Sequence, residues 1–314
     1  LFHKKMKKSK RGDYLKTPFH HIFDTDSVGQ AINPLPLNHL LRWANLEQIE
    51  HDEQCPKTLF LGIDIQQDFM DNGALGVPGA MQDVIRLGQF IYNNIEKISS
   101  IIVSLDTHEP AQIFHPYWWV DEAGNHPAPY TVIKPQDLTD GKWRAVIDPA
   151  LSKHYVRQLE KTGKQLIIWP YHCINGTTGW TLENQFSNII HFMSVAADVP
   201  VEKICKGQNR HSEMYGIIRP EYSTHDSTNT KLLEKIAEFD KIIIAGEAKS
   251  HCVLESIKQI CEYYYDKPEL TRRIYVLTDC MSDIPGFEEY SQTAYKILVS
   301  KYKINLVKST DNFL

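Results

Sequence analysis

Three apolar runs in this chain lead into residues that could do covalent chemistry together: a carboxylate at Asp64, an amine at Lys206 and a thiol at Cys252. The thiol follows the run Ile242–Ala245, in Gly246-Glu247-Ala248-Lys249-Ser250-His251-Cys252, where a helical pattern opens. A cysteine at a helix N-terminus faces the positive end of the dipole, so its thiolate is expected to be stabilised and its pKa lowered. Backbone N–H groups in such a turn can also receive an oxyanion. A solitary cysteine is more often a small buried filler, so its partners decide between the two readings. Asp64 can serve as base for the thiol, and Lys206 as the cation that organises the charge.

A second group, Asp106-Thr107-His108, closes the run Ile101–Asp106. On an extended strand end, residues two apart share a face, so this carboxylate and imidazole can grip one cation. His172, within Trp169-Pro170-Tyr171-His172-Cys173, would complete a facial set from the neighbouring strand. Coordination positions would stay open for water or substrate. An Asp-x-His pair alone is usually a solvated surface feature, and His172 in its own motif strengthens the case. The donors suit one divalent metal ion, Zn2+, Fe2+ or Mn2+, without choosing among them.

Such residues need a scaffold that brings distant strand ends to one edge. Short apolar runs occur at Leu59–Ile65, Ile101–Asp106, Leu166–Trp169, Val199–Cys205, Ile242–Ala245, Ile274–Thr278 and Ile304–Val307. Helical patterns lie between them, the first carried by Val84, Leu87, Ile91, Ile95 and Ile98, the later ones near 183–195, 252–265 and 287–302. The alternation predicts βαβ units, hence a three-layer α/β/α sandwich around a mostly parallel sheet of about six strands. Ligands in such sheets bind at the carboxyl ends of the strands, where Asp64, Asp106, Lys206 and the turn to Cys252 fall. Residues 1–56 read as an N-terminal extension, with a basic cluster (Lys4, Lys5, Lys7, Lys8, Lys10, Arg11) and a short helix from Leu37 to Glu50. Residues 57–314 form the main domain, interrupted at about 119–163 by a Pro-rich, irregular insertion.

With 314 residues, 42% of them hydrophobic, the chain has ample material for a large core. Its net charge of -5, from 34 basic and 39 acidic side chains, gives no overall attraction to nucleic acid, and the basic cluster reads as a solvated tail. No stretch approaches the roughly 20 apolar residues needed to cross a bilayer, so no membrane partner is expected. The N-terminus lacks the apolar centre of an export signal. Cys55, Cys173, Cys205, Cys252, Cys261 and Cys280 are scattered, without a Cys-x-x-Cys pair, which suits free thiols in a reducing cytoplasm.

Taken in order, several segments resemble the isochorismatase-like cysteine hydrolases, and within them the nicotinamidases. Gly62-Ile63-Asp64-Ile65-Gln66-Gln67-Asp68-Phe69 is similar to the family's opening motif, and Asn72-Gly73-Ala74-Leu75-Gly76-Val77-Pro78-Gly79-Ala80 to the glycine-rich segment after it. Ser104-Leu105-Asp106-Thr107-His108-Glu109-Pro110, Trp169-Pro170-Tyr171-His172-Cys173 and Lys206-Gly207 follow. The nucleophile turn Gly246–Val253 and the strand Val276-Leu277-Thr278-Asp279-Cys280 complete the set, which runs from about residue 58 to 308.

The resemblance implies that Asp64 is the catalytic base, Lys206 its partner and Cys252 the nucleophile. It implies a cis bond between Glu247 and Ala248 and an oxyanion hole from the N–H groups of Ala248 and Cys252. Asp106, His108 and His172 would hold the metal, and His115 lies near where some members place a further ligand. Phe69 and Trp169 match two aromatic walls of the small-substrate pocket. After Lys206 the usual aromatic spacing is not reproduced. Tyr215 offers a replacement, while Glu213 and His211 would suit a more polar substrate. Members are often oligomeric, which makes a homo-oligomer plausible without fixing its order.

The implied reaction is metal-dependent hydrolysis of a small amide, such as the heteroaromatic nicotinamide, to acid and ammonia through a thioester. A same-fold alternative is a carbamoyl or ureido compound, or an isochorismate-type vinyl ether. Enzymes of that last branch generally lack the Asp-x-His pair. The other rival is a catalytically silent binding protein, which has no chemical need for acid, amine and thiol together.

Overall fold

In a computed structural model, which describes residues 15–47, 49 and 55–314, the apolar runs form a six-stranded parallel sheet. Its strands are β1 (Thr58–Ile63), β2 (Ser100–Asp106), β3 (Val201–Lys206), β4 (Lys241–Gly246), β5 (Ile274–Leu277) and β6 (Asn305–Val307). They lie in the order β6-β5-β4-β1-β2-β3, so every strand end that carries chemistry points to one edge.

Successive side chains feed two separate cores. Phe60, Ile101, Val103, Leu105, Ile243 and Ala245 pack on one face, and Leu59, Leu61, Ile63, Ile102, Ile242 and Ile244 on the other. With both faces covered, the strands read as continuous apolar runs rather than alternations. Each fully buried Leu, Ile or Phe contributes roughly 1.5–3 kcal/mol. The first face is covered by α1 (Leu37–Ala44), α2 (Ala80–Asn93) and α4 (Asn184–Ala196), after α3 (Pro149–Lys161) has been added in the insertion. The second is covered by α5 (Thr230–Ala237), α6 (Leu254–Tyr263) and α7 (Glu288–Tyr302). Three layers result.

The structure corrects three expectations. The run Leu166–Trp169 is not a strand of the main sheet. Leu166–Ile167 pairs antiparallel with Val132–Ile133, because β3 already occupies the edge beside β2 with Asp106 opposite Lys206. His172 therefore arrives on a loop, not on a neighbouring strand. The segment 119–163 is not irregular throughout: α3 buries Ser152, Tyr155, Val156 and Leu159, and Pro149 opens it where a missing N–H costs nothing. The helix expected over Leu37–Glu50 stops at Ala44, where Asn45 N closes onto Leu41 O.

Ile22, Phe23, Leu40 and Ala44 are buried in the first core, so the described part of the N-terminal segment packs onto the sheet's own helices. The basic cluster at residues 4–11 lies outside the described residues. Among those described, no helix is long and apolar enough to cross a membrane.

Candidate active site

Asp64 follows the last residue of β1 and takes a φ of 47°, a conformation that Asp tolerates better than most residues. Its Oδ1 accepts a hydrogen bond from Ser104 Oγ at 2.6 Å, and its N–H donates to the same oxygen at 3.0 Å. Lys206, the last residue of β3, is buried with its Nζ 3.0 Å from Asp64 Oδ2, 2.9 Å from Asp106 Oδ1 and 3.6 Å from Cys252 Sγ. It also donates to Met214 O at 3.1 Å. The structure thus brings the acid, amine and thiol of the sequence reading to one point, with side-chain atoms of Asp64, Asp106 and Cys252 all within 4.8 Å of one another.

The nucleophile turn is held close against β1. Gly246 has a φ of 133°, and a Cβ there would stand 1.9 Å from Ile63 O, so only glycine fits. The Glu247–Ala248 bond is cis, as the resemblance implies. One π-helical turn, Lys249–Val253, then carries Cys252 into α6.

The thiol is not lowered as its position suggested. Burial pushes it well above the usual cysteine range, and although Lys206 opposes this, Asp64 and Asp106 add to it. A helix terminus supplies only about 0.3–1 kcal/mol, too little to offset that environment. In this environment Cys252 favours the neutral thiol over the thiolate.

Burial raises Asp64 as well, with Lys206 countering only in part, so this carboxylate has an increased affinity for a proton. Asp106 goes the other way: burial would raise it, but His108 and Lys206 outweigh burial and hold it well below the usual range. Burial would strip Lys206 of its proton, yet Asp106 and Asp64 together keep it an ammonium. The two neighbouring aspartates thus differ in their affinity for a proton.

The second constellation also assembles, and its chemistry fits a divalent ion. Asp106, His108 and His172 offer donor atoms within 4.8 Å of one another, all buried. His108 Nδ1 lies 3.3 Å from Gly207 O and His172 Nδ1 donates to Pro170 O at 2.8 Å, which leaves each Nε2 toward Asp106 Oδ2, at 2.9 and 3.6 Å. Burial lowers His108 and holds His115 down to about 3, the neutral form a ligand requires. His115 Nδ1 is tied to Glu109 O and Pro110 O at 3.1 Å, while its buried Nε2 has no hydrogen-bond partner among the described residues. That orphaned nitrogen belongs to a ring 5.9 Å from His108 and 6.1 Å from His172. Gly207 is required beside them, since a Cβ would meet His108 Cε1 at 2.6 Å.

Phe69, Trp169, Glu213 and Tyr215 line a narrow pocket together with Leu75, Asp106, His172, Ala248, His251, Cys252 and Ile284. Glu213 is pinned by Trp169 Nε1 at 3.1 Å and Met214 N at 2.9 Å. Burial, with Asp106 adding and Lys206 opposing, brings its carboxyl up to about 7. His211 is turned away, onto Asp148 of the insertion at 2.7 Å.

Four residues with site roles were not singled out from sequence. Ser104 orients Asp64, and its signal was a polar side chain inside the apolar run of β2. Gln66 grips the Asp106 main chain, accepting from its N–H at 2.7 Å and donating to its carbonyl at 2.9 Å. Asp68 accepts from Cys173 N at 2.7 Å and steadies the loop beside His172. His251 stacks edge-on to Trp169, Tyr215 and Phe287, and burial lowers its imidazole to about 4.

Sheet order and covering helices together define an isochorismatase-like α/β fold. The particular proteins it is similar to are nicotinamidases. The chain is 24% identical over 212 residues to the nicotinamidase of Saccharomyces cerevisiae, covering 67% of this chain and 83% of that protein. A nicotinamidase/pyrazinamidase structure from Acinetobacter baumanii matches with a TM-score of 0.56 at 18% identity, over 82% of this chain and 99% of that one. The yeast nicotinamidase bound to the inhibitor nicotinaldehyde matches with a TM-score of 0.56 at 20% identity, over 80% and 99%. No family model matches the chain.

Proposed function

We propose that this protein is a cysteine amidohydrolase that converts a small, flat amide to its acid and ammonia. Cys252 Sγ attacks the amide carbon as its proton passes to Asp64, and the carbonyl electron pair moves onto oxygen. The N–H groups of Ala248 and Cys252 hold that oxyanion. As the C–N bond breaks, Asp64 returns the proton to the departing nitrogen, leaving a thioester on Cys252. Water then gives a proton to Asp64 and adds to the thioester. The C–S bond breaks, the acid forms, and the proton goes back to sulfur. Lys206 keeps the paired carboxylates compatible throughout.

The observation that carries this reading is an ammonium placed 3.0 Å from the proposed base and 3.6 Å from a thiol that lines the pocket. The aromatic walls Phe69, Trp169 and Tyr215 suit a flat ring such as that of nicotinamide, and the similarity to nicotinamidases points the same way. Ammonia release from nicotinamide and pyrazinamide, set against carbamoyl and ureido compounds, tests it. Turnover confined to the carbamoyl compounds would overturn the amide assignment.

Asp106, His108 and His172 would hold one divalent ion, with His115 as a fourth donor. When bound, the ion supplies a Lewis-acid contact that orients a ring nitrogen or similar donor of the substrate. Chelator-treated protein is expected to take up one equivalent of Zn2+, Fe2+ or Mn2+ on dialysis, measured by elemental analysis. His108→Ala and His172→Ala should abolish uptake, and His115→Ala should weaken it by about 10–100-fold, the range seen when one supporting group is lost. Unchanged metal content in all three variants would remove the ion from this site.

A further inference from the structure

Directly behind the nucleophile turn lies a second pair of acids that the reaction does not use. Glu247, whose carbonyl side forms the bond to Ala248, is 1% exposed, and Asp83 of α2 is 4% exposed. Ser282 touches both: its Oγ donates to Asp83 Oδ2 and its N–H donates to Glu247 Oε2 at 3.3 Å. The two carboxyl groups are themselves within hydrogen-bonding reach. With both ionised, Glu247 Oε1 has no donor facing it among the described residues and remains a buried oxygen without a partner there. Two adjacent buried carboxylates also repel strongly.

One proton resolves both difficulties. We propose that Glu247 keeps its proton in the folded protein and donates it to Asp83, and that this carboxyl–carboxylate bond positions the Ala248 end of the nucleophile turn. Glu247 is a positioning residue, since it acts through the backbone of Ala248.

The surroundings assign the proton to Glu247. Asp83 has a cation beside it, Arg86, whose NH1 is 3.1 Å from Asp83 Oδ1 and also donates to Asp279 O. Around Glu247, Asp83 and Asp71 both disfavour a charge, and burial acts in the same sense. Asp71 is itself engaged by Gly79 N and Met81 N at 2.8 Å, and the nearby Lys249 is taken by Asp283 at 3.1 Å. Burial raises Asp83 only to about 6, consistent with its being the ionised member near neutral pH. Ser282 extends the same clamp to the other side of the turn, where its carbonyl accepts from Lys249 N at 2.8 Å.

The sign of the pH dependence follows. The unfolded chain releases this proton near pH 4.3, whereas the folded protein retains it to higher pH. Stability contributed by wild-type Glu247 therefore falls as pH rises above the unfolded value. Glu247→Gln can still donate an N–H to Asp83 and carries no proton to lose. Its melting temperature relative to wild type is expected to rise between pH 5 and pH 8, by on the order of several degrees at the upper end.

An infrared difference spectrum at pH 7, wild type minus Glu247→Gln, should contain a protonated-carboxyl band. A spectrum with carboxylate bands alone, or a melting difference that does not change with pH, would overturn the proposal. The catalytic half of the inference rests on the amidohydrolase reading. There, Glu247→Ala is expected to lower kcat by about 10–100-fold with KM little changed, and Glu247→Gln to recover most of that loss. A kcat for Glu247→Ala within twofold of wild type would remove the positioning role. If no amide is turned over by the wild type, the infrared and melting results still decide the proton, and it is the amidohydrolase reading that fails.

Discussion

Asp64→Asn and Cys252→Ala are each expected to reduce amide hydrolysis by about 10^4-fold or more, and the double variant to be little worse than either alone. The thiol is held neutral by burial and by two acidic neighbours, so very little thiolate exists without a proton acceptor. Asparagine at 64 can keep the hydrogen bond from Ser104, but it cannot take the thiol proton. Alanine at 252 removes the atom that carries the acyl group. On the proposed mechanism base and nucleophile act in one proton transfer, so losing either removes the same step, and their effects do not add. Initial rates of ammonia release check this, with melting temperature as a control for folding. An Asp64→Asn protein retaining a tenth of the wild-type rate would exclude Asp64 as the base.

The second large effect is on folding. Lys206→Met should destabilise the protein by about 3–5 kcal/mol, the cost of breaking a buried ion pair from one side. Its ammonium stands 3.0 and 2.9 Å from two buried carboxylates, and methionine leaves them facing each other across an apolar tip. The deficit should be smallest at low pH. Without the lysine, Asp64 holds its proton to higher pH in the folded state than in the unfolded one, so stability declines as pH rises. Adding Asp64→Asn should restore part of the loss by removing one unpaired charge. Denaturant unfolding at two pH values measures all three statements. A Lys206→Met protein within about 1 kcal/mol of wild type would show that water or another cation compensates the pair, since ordinary surface ion pairs carry no more than that.

Much of this arrangement was readable from the chain because parallel sheets leave a strong trace. Strands buried on both faces appear as apolar runs, and a charged residue at the end of such a run has few positions available other than the sheet edge. That logic found Asp64, Asp106 and Lys206. It failed for Leu166–Trp169, an equally apolar run, because periodicity says nothing about which partner a strand takes. Val132–Ile133 pairs with it instead. The thiol's protonation was misread for a related reason: the helix terminus is local and visible in sequence, whereas Asp64 and Asp106 come from other strands. Ser104, Gln66 and Asp68 escaped notice because residues that orient others do so through distances, and sequence spacing does not record those. The insertion's α3 was masked by the prolines around it, one of which, Pro149, starts the helix instead of breaking it.

The pairing of Asp106 with Lys206 across the β2–β3 ladder, and of Ile63 with Gly246 across β1–β4, has a consequence for partly opened forms of the molecule. The reacting atoms share no local segment, so no fragment or half-melted sheet can retain a diluted version of the centre. Loss of rate and loss of the central sheet should follow one curve in denaturant, which makes turnover a direct gauge of how much intact protein a sample contains.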